Sequence, residues 1–142
     1  MRILVLNGPN LNLLGQRKPE VYGTQTLEQI NRKIKARFPD LELEFFQSNH
    51  EGEIIDQIQQ AMTSFDGIVL NAGALTHYSY GLRDAIESCD IPVVEVHLSN
   101  IAGREDFRKI SVISEVCLGT ISGFGLNSYL LGIQALKEHL KQ

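Results

Sequence analysis

The chain has little of what marks several large functional classes. Lysine and arginine total 13 against 17 aspartates and glutamates, a net charge of -4, and the basic residues form no cluster. Binding duplex DNA or RNA takes a basic face to meet the phosphates, so no nucleic-acid partner is expected. Cysteine is scarce: Cys89 and Cys117 stand alone, in no metal-ligand or redox spacing. Two reduced thiols in or near a core suit a cytoplasmic protein. Long apolar runs are missing as well. The run after Met1 and Arg2 spans only Ile3 to Leu6, too short for a signal peptide or a membrane span. No repeat, low-complexity tract or linker breaks the chain. Its 142 residues suit one domain with a real core, so residues 1–142 are read as a single unit.

What the chain does have is a regular alternation of two periodicities. RILVLN, 2–7, is nearly all apolar and ends at the turn NGPN, as a strand buried on both faces does. Leu27, Ile30, Ile34 and Phe38 then recur at helical spacing. Thr26 with Gln29 forms a capping box, and Pro39 ends the segment. LELEFF, 41–46, alternates at first, which suits a sheet edge with one wet face. Ile54, Ile55, Ile58 and Met62 mark a second helix, with Ser48 and Glu51 placed to cap it. GIVLN, 67–71, is a third strand. A helix of about 12 residues is expected after THYS, turning Leu82, Ala85 and Ile86 inward. PVVEVH, 92–97, and VCLGTIS, 116–122, are two more strands, and SYLLGIQALKEHL closes the chain as an amphipathic helix. Five strands alternating with helices call for a parallel sheet covered on both faces, because parallel strands need crossovers. A buried first strand and an alternating second one predict the order 2-1-3-4-5.

In such sheets ligands bind beyond the carboxyl ends of the strands. Those ends read Asn7-Gly8-Pro9-Asn10, Ser48-Asn49-His50, Asn71-Ala72-Gly73, His97-Leu98-Ser99-Asn100 and Ser122-Gly123. They are rich in Asn, Ser and His and hold no carboxylate. Such groups hydrogen-bond neutral or anionic oxygen, and they make a poor cage for magnesium or calcium. A phosphate loop, GxxxxGK[ST], is absent. GFGLNS, 123–128, lacks the third glycine of a dinucleotide fingerprint and follows the wrong strand. A receiver domain would need aspartates where Asn7 and Asn71 stand. HEGE, 50–53, has no second histidine, and there is no GxSxG elbow. Each remaining candidate has an ordinary structural reading: a turn for Asn10, a strand-end histidine for His97, a near-cap histidine for His77, a solvated arginine for Arg108. Their meeting at one sheet edge is what argues for a site.

The segment from Gly8 to Thr24 shows little secondary structure in its pattern, and loops of that length in small domains are functional or disordered. Leu11, Leu13 and Leu14 anchor its base, Gly15 and Gly23 offer hinges, and Pro19 restricts it. It reads as a lid carrying Arg17 and Tyr22. A guanidinium beside a phenol in a dry site favours the phenolate, so the pair is a candidate base that switches on as the lid closes. A surface arginine and a packing tyrosine are the plainer alternative.

Five stretches together, NGPNLNLLGQRKPEVYG, QSNHEGEIID, NAGALTHYSYGLRDA, EVHLSN and GREDFR, closely resemble type II 3-dehydroquinate dehydratase, in order and over nearly the whole chain. The resemblance implies a flavodoxin-like fold and removal of water from 3-dehydroquinate to give 3-dehydroshikimate, in the shikimate route or in quinate breakdown. It implies no metal, no other cofactor and no Schiff-base lysine. By the same resemblance Tyr22 is the base, Arg17 keeps it ionised, and Asn10 holds a water that steadies the enolate. His97 is the acid that protonates the departing hydroxyl, and Glu95 pairs with an active-site group. The substrate carboxylate lies on the backbone amides of Leu98 and Ser99, helped by Asn71. His77 and Arg108 bind ring hydroxyls. Asp84 reaches in from a neighbouring subunit of a trimer-based dodecamer. Lys18 departs from the acidic residue often found after the lid arginine, and Tyr78 and Tyr80 replace smaller residues near a subunit contact. The competing reading is a flavodoxin-like module that binds a small anion through Leu98, Ser99 and Arg108 without turnover.

Overall fold

Two sets of alternate residues on each central strand dictate the layering. In the computed structural model, which describes residues 1–142, β1 (Arg2–Asn7), β2 (Glu42–Gln47), β3 (Gly67–Asn71), β4 (Val93–His97) and β5 (Gly119–Ser122) form one parallel sheet in the order β2-β1-β3-β4-β5. The order is the one expected, with β2 at one edge and β5 at the other. Because strand side chains alternate between faces, Ile3, Val5, Val69, Val94 and Val96 point one way. They meet Ile30 and Ile34 of α2 (Leu27–Arg37) and Tyr129, Ile133 and Leu136 of α5 (Leu126–Leu140). Leu4, Leu6, Ile68, Leu70 and Val93 point the other way. They meet Ile54 and Ile58 of α3 (Glu51–Ala61) and Leu82 and Ile86 of α4 (Tyr80–Glu87). Each such aliphatic side chain contributes about 1.5–3 kcal/mol on burial, which is why the sheet is sandwiched. None of the helices is long and apolar enough to cross a membrane.

Side-chain caps set two of the helix starts, those of α2 and α4. Thr26 accepts the Gln29 N–H while Gln29 accepts the Thr26 N–H, the reciprocal box expected. At α3 the expectation fails. His50 is the N-cap and makes no side-chain cap bond. Ser48 instead accepts the His50 N–H and donates to Glu53, and Glu51 accepts from Ser79 at the start of α4. Glu51 therefore ties α3 to α4, while Glu53 reaches back to Ser48 just ahead of its own helix. The helix after THYS is shorter than expected, at 8 residues. A 3-10 segment, Gly73–His77, takes up the preceding stretch and Ser79 caps α4 through the Leu82 N–H. The fifth strand begins only at Gly119 because Ser114–Val116 form a 3-10 turn.

Gly132 sets how close α5 lies to the sheet. A Cβ there would stand 2.8 Å from Val96 Cγ1, closer than carbon atoms pack. Only glycine lets the helix settle at this depth, and that depth brings Tyr129 under the ends of β1 and β3. The lid is also more ordered than its pattern predicts. It holds a 3-10 turn at Leu11–Leu13 and one helical turn, α1 (Pro19–Tyr22), with Pro19 at its first position. Leu11 and Leu14 are buried in the core beside α2, but Leu13 points outward and is 40% exposed. Three leucines in four residues cannot all face one side of a 3-10 turn.

Candidate active site

The strand register collects the polar ends. Asn7 is paired with Asn71 across β1 and β3, and His97 with Ser122 across β4 and β5. Above them a narrow cleft is walled by Asn10, Arg17, Tyr22, Asn71, His77, His97, Leu98, Ser99, Arg104 and Arg108, among others. No carboxylate lines it. Three guanidinium groups and two imidazoles do, so the cleft is built for an anion.

The lid delivers Tyr22 to this wall. Gly15 (φ 92°) and Gly23 (φ 85°) turn the chain at its two ends, in a region that side chains disfavour. The Arg17 guanidinium carbon lies 4.6 Å from the centre of the Tyr22 ring, and that of Arg104 lies 5.0 Å from it. Arg104 also donates to the Ser99 hydroxyl at 3.2 Å, which joins the lid to the end of β4. Arg104 was not among the residues expected at the site, although it stands in the GREDFR stretch. A second arginine four residues before Arg108 carried no signal of its own until the loop folded back over Tyr22.

His97 is held from behind. Its Nε2 lies 2.6 Å from Glu95 Oε2, both residues being buried. The carboxylate only accepts, so Nε2 carries the hydrogen and Nδ1 is the nitrogen left for the cleft. Glu95 Oε1 in turn accepts from Ser114 at 2.7 Å, Ser111 at 3.1 Å and Thr120 at 3.3 Å. Burial pushes this carboxyl up, but the hydrogen bond and charge of His97, with those from Ser114 and Ser111, outweigh it and leave Glu95 below the usual range. A fixed anion therefore lies behind His97. Close by, burial and the Glu95 charge push the Cys117 thiol up to about 12, so it stays protonated and is no nucleophile at neutral pH.

His77 is held by its Nδ1, 2.8 Å from the Ile110 carbonyl. Burial, helped by the charges of His97 and Arg108 and opposed by the Ile110 carbonyl and Glu95, lowers its pKa below the ordinary 6.5. At neutral pH it is a neutral ring whose Nε2 can accept. Arg108 is steadied by Glu105 at 3.0 Å and lies over the Phe107 ring. The Leu98 and Ser99 N–H groups donate to nothing in the chain. Two consecutive unpaired amides beside a cationic cleft form an oxyanion nest, and orphaned N–H groups of this kind are rare without a ligand. Asn10 takes a left-handed backbone (φ 69°), held by its N–H to Asn49 Oδ1 at 2.9 Å.

The family model "Dehydroquinase class II" matches residues 1–137. The chain belongs to the class II dehydroquinase family. Members of the family, the type II 3-dehydroquinate dehydratases, are hydro-lyases. The 3-dehydroquinate dehydratase of Pelodictyon phaeoclathratiforme is 62% identical over 138 residues, which cover 96% of this chain and 91% of that protein. That of Chlorobaculum tepidum is 59% identical over 136 residues, 94% of this chain and 92% of that one. The crystal structure of the type II dehydroquinase from Butyrivibrio crossotus superposes with a TM-score of 0.95 at 50% identity, covering 96% of this chain and 97% of that one.

Of the residues expected at a dehydroquinase site, Asn10, Arg17, Tyr22, Asn71, His77, His97, Leu98, Ser99 and Arg108 share the one cleft, and Glu95 stands directly behind His97. Asp84 does not join them. It is exposed on α4 and outside the cleft of its own chain. Sequence reasoning missed Arg104, the hydroxyls of Ser111, Ser114 and Thr120 around Glu95, and Tyr129 behind Asn71.

Proposed function

We propose that the protein removes water from 3-dehydroquinate to give 3-dehydroshikimate through an enolate, as a step of the shikimate pathway. The observation that carries the mechanism is the arrangement of Tyr22 and His97 on one cleft, the first flanked by two guanidinium groups and the second backed by a buried carboxylate.

The substrate carboxylate lies on the free N–H groups of Leu98 and Ser99, with the Asn71 amide beside them. Hydrogen bonds to an ionised group are the strong kind, and this anchor fixes the ring in the cleft. His77 and Arg108 take the ring hydroxyls. Tyr22, as a phenolate facing Arg17 and Arg104, takes a proton from the carbon next to the ketone. The electron pair moves onto the ketone oxygen, where a water held by Asn10 donates to the developing enolate. The enolate then collapses, the hydroxyl two carbons from the ketone leaves, and His97 Nδ1 supplies its proton. Water departs and a carbon–carbon double bond conjugated with the ketone remains. The Tyr22 proton returns to solvent and His97 regains one, so the balance closes. Glu95 holds the imidazolium form that delivers the proton and fixes its orientation.

The protein works as a homo-oligomer, a dodecamer built from four trimers, in which Asp84 of one subunit completes the cleft of the next. Supporting this are the exposure of Asp84 and of the apolar side chains Tyr78, Tyr80, Phe107 and Ile110, each of the four 59–68% exposed. A surface of that kind marks an interface. The conjugated product absorbs in the ultraviolet. Purified protein treated with a chelator is expected to raise the absorbance when mixed with 3-dehydroquinate. No rise would end the proposal, and covalent trapping on a lysine by borohydride would end the enolate route.

A further inference from the structure

Three buried polar side chains form a chain of hydrogen bonds beneath the cleft. Asn7 and Asn71 are directly opposed on β1 and β3, 1% and 3% exposed. Tyr129 of α5 comes up under them and is fully buried. Its hydroxyl donates to Asn7 Oδ1 at 2.5 Å and accepts from Asn71 Nδ2 at 2.9 Å. Asn71 Oδ1 accepts the Gly73 N–H at 3.2 Å.

One fixed donor sets the direction of every bond. The Gly73 amide can only donate, so it demands the oxygen of Asn71. That turns Asn71 Nδ2 to Tyr129 and makes Tyr129 the acceptor on that side. The hydroxyl has a single proton, and it goes to Asn7 Oδ1. Asn7 Nδ2 is left buried with no partner. A buried N–H without a partner destabilises the fold, so packing alone favours an apolar residue at position 7. Asn7 makes sense when its oxygen is needed to hold the Tyr129 proton away from Asn71. Without it that proton would compete with the Gly73 N–H for Asn71 Oδ1, and the amide would lose its one orientation. Burial raises the Tyr129 pKa, so the hydroxyl keeps the proton this scheme requires.

We propose that Tyr129 and Asn7 are positioning residues for substrate binding, locking Asn71 so that its second amide hydrogen faces the cleft as a donor to the substrate carboxylate. The inference rests on Asn71 being a carboxylate ligand, as read above. Neither residue touches the reacting atoms, so their loss acts on binding rather than on the chemical step.

Steady-state kinetics with 3-dehydroquinate on Tyr129→Phe, Asn7→Leu, Asn71→Ala and the Tyr129→Phe/Asn71→Ala double variant test this. Tyr129→Phe and Asn7→Leu are each expected to raise KM about 3- to 10-fold, the equivalent of one hydrogen bond, with kcat within about twofold of wild type. Added to Asn71→Ala, the loss of the hydroxyl is expected to change nothing more, because the residue it positions is gone. If Tyr129→Phe fails to fold, Asn7→Leu carries the same test with the phenol intact. An unchanged KM in the folded variants, a loss of kcat instead, or additive effects in the double variant would overturn the positioning role. An unchanged KM in Asn71→Ala would overturn the carboxylate reading, and this inference with it.

Discussion

Tyr22 is the residue on which the proposed chemistry turns, and its surroundings say what its loss should do. It is half-buried and packs only on the margin of the core, so removing its hydroxyl leaves the fold intact. Tyr22→Phe is expected to lower kcat by about 10²–10⁴, the usual worth of a general base, with an unchanged thermal transition. Retention of most activity would dismiss it as the base. Arg104 is a sharper case, because only the folded chain points to it. It covers the Tyr22 ring and holds the Ser99 hydroxyl. Arg104→Ala is expected to reduce kcat/KM on the order of 10²-fold, as for other preorganised donors. An effect no larger than that of Lys18→Ala, measured beside it, would leave Arg104 a bystander. At this scale legibility divides cleanly. His97 at the end of β4, and Leu98 and Ser99 just after it, were placed at the sheet edge by position, and the resemblance supplied their roles. Arg104, Ser111, Ser114 and Tyr129 were not, since each reaches the site through a loop or a helix whose path only the folded chain shows.

Among the elements, the strands and their order follow from apolar runs that are buried on both faces, and that pattern is strong in sequence. The misreading at α3 has a simple cause: Glu51 takes a partner on another element over a local one. Glu51 bonds Ser79 of the next helix rather than capping its own. The 3-10 segments before α4 and β5 shorten both elements, and each bonds a distant part of the chain: the Thr76 carbonyl accepts the Val112 N–H, and Ser114 donates to Glu95. α5 offers a quantitative check. Alanine at 132 gains about 1 kcal/mol of helix propensity over glycine, whereas a methyl forced against Val96 costs typically 1–3 kcal/mol. Val96 is a stiff β-branched side chain on a central strand, so the clash wins. Gly132→Ala is expected to be destabilised by about 1 kcal/mol in a denaturant titration. A more stable Gly132→Ala protein would show that the helix is free to lift off the sheet, and that its depth does not hold Tyr129 in place.

Two properties belong to the molecule as a whole. The first is acid stability. Glu95 has a folded pKa below the ordinary 4.5, so it binds its proton more weakly folded than unfolded. The stability it contributes is fully present above about pH 4.5 and is lost as the pH falls through the lowered folded value. Glu95→Gln, which cannot ionise, is expected to be less stable at pH 7 yet to lose less on going from pH 5 to pH 3. Equal acid slopes for the two proteins would mean that the buried carboxyl is not what acid attacks. The second property is assembly. Asp84 stands outside its own cleft, so a complete site takes two chains if Asp84 serves at all, and two inactive chains should then repair each other. Tyr22→Phe lacks the base but offers Asp84 to a neighbour; Asp84→Ala keeps the base but offers none. In a ring where each site draws on one neighbour, random co-assembly makes a site whole when the base comes from one variant and the carboxylate from the other. That happens in about one site in four, so co-expressed chains are expected to recover up to roughly a quarter of wild-type activity, while the same variants purified apart and mixed without exchange recover none. Were Asp84 instead to serve the cleft of its own chain, every site would carry one defect or the other, and co-assembly would restore nothing.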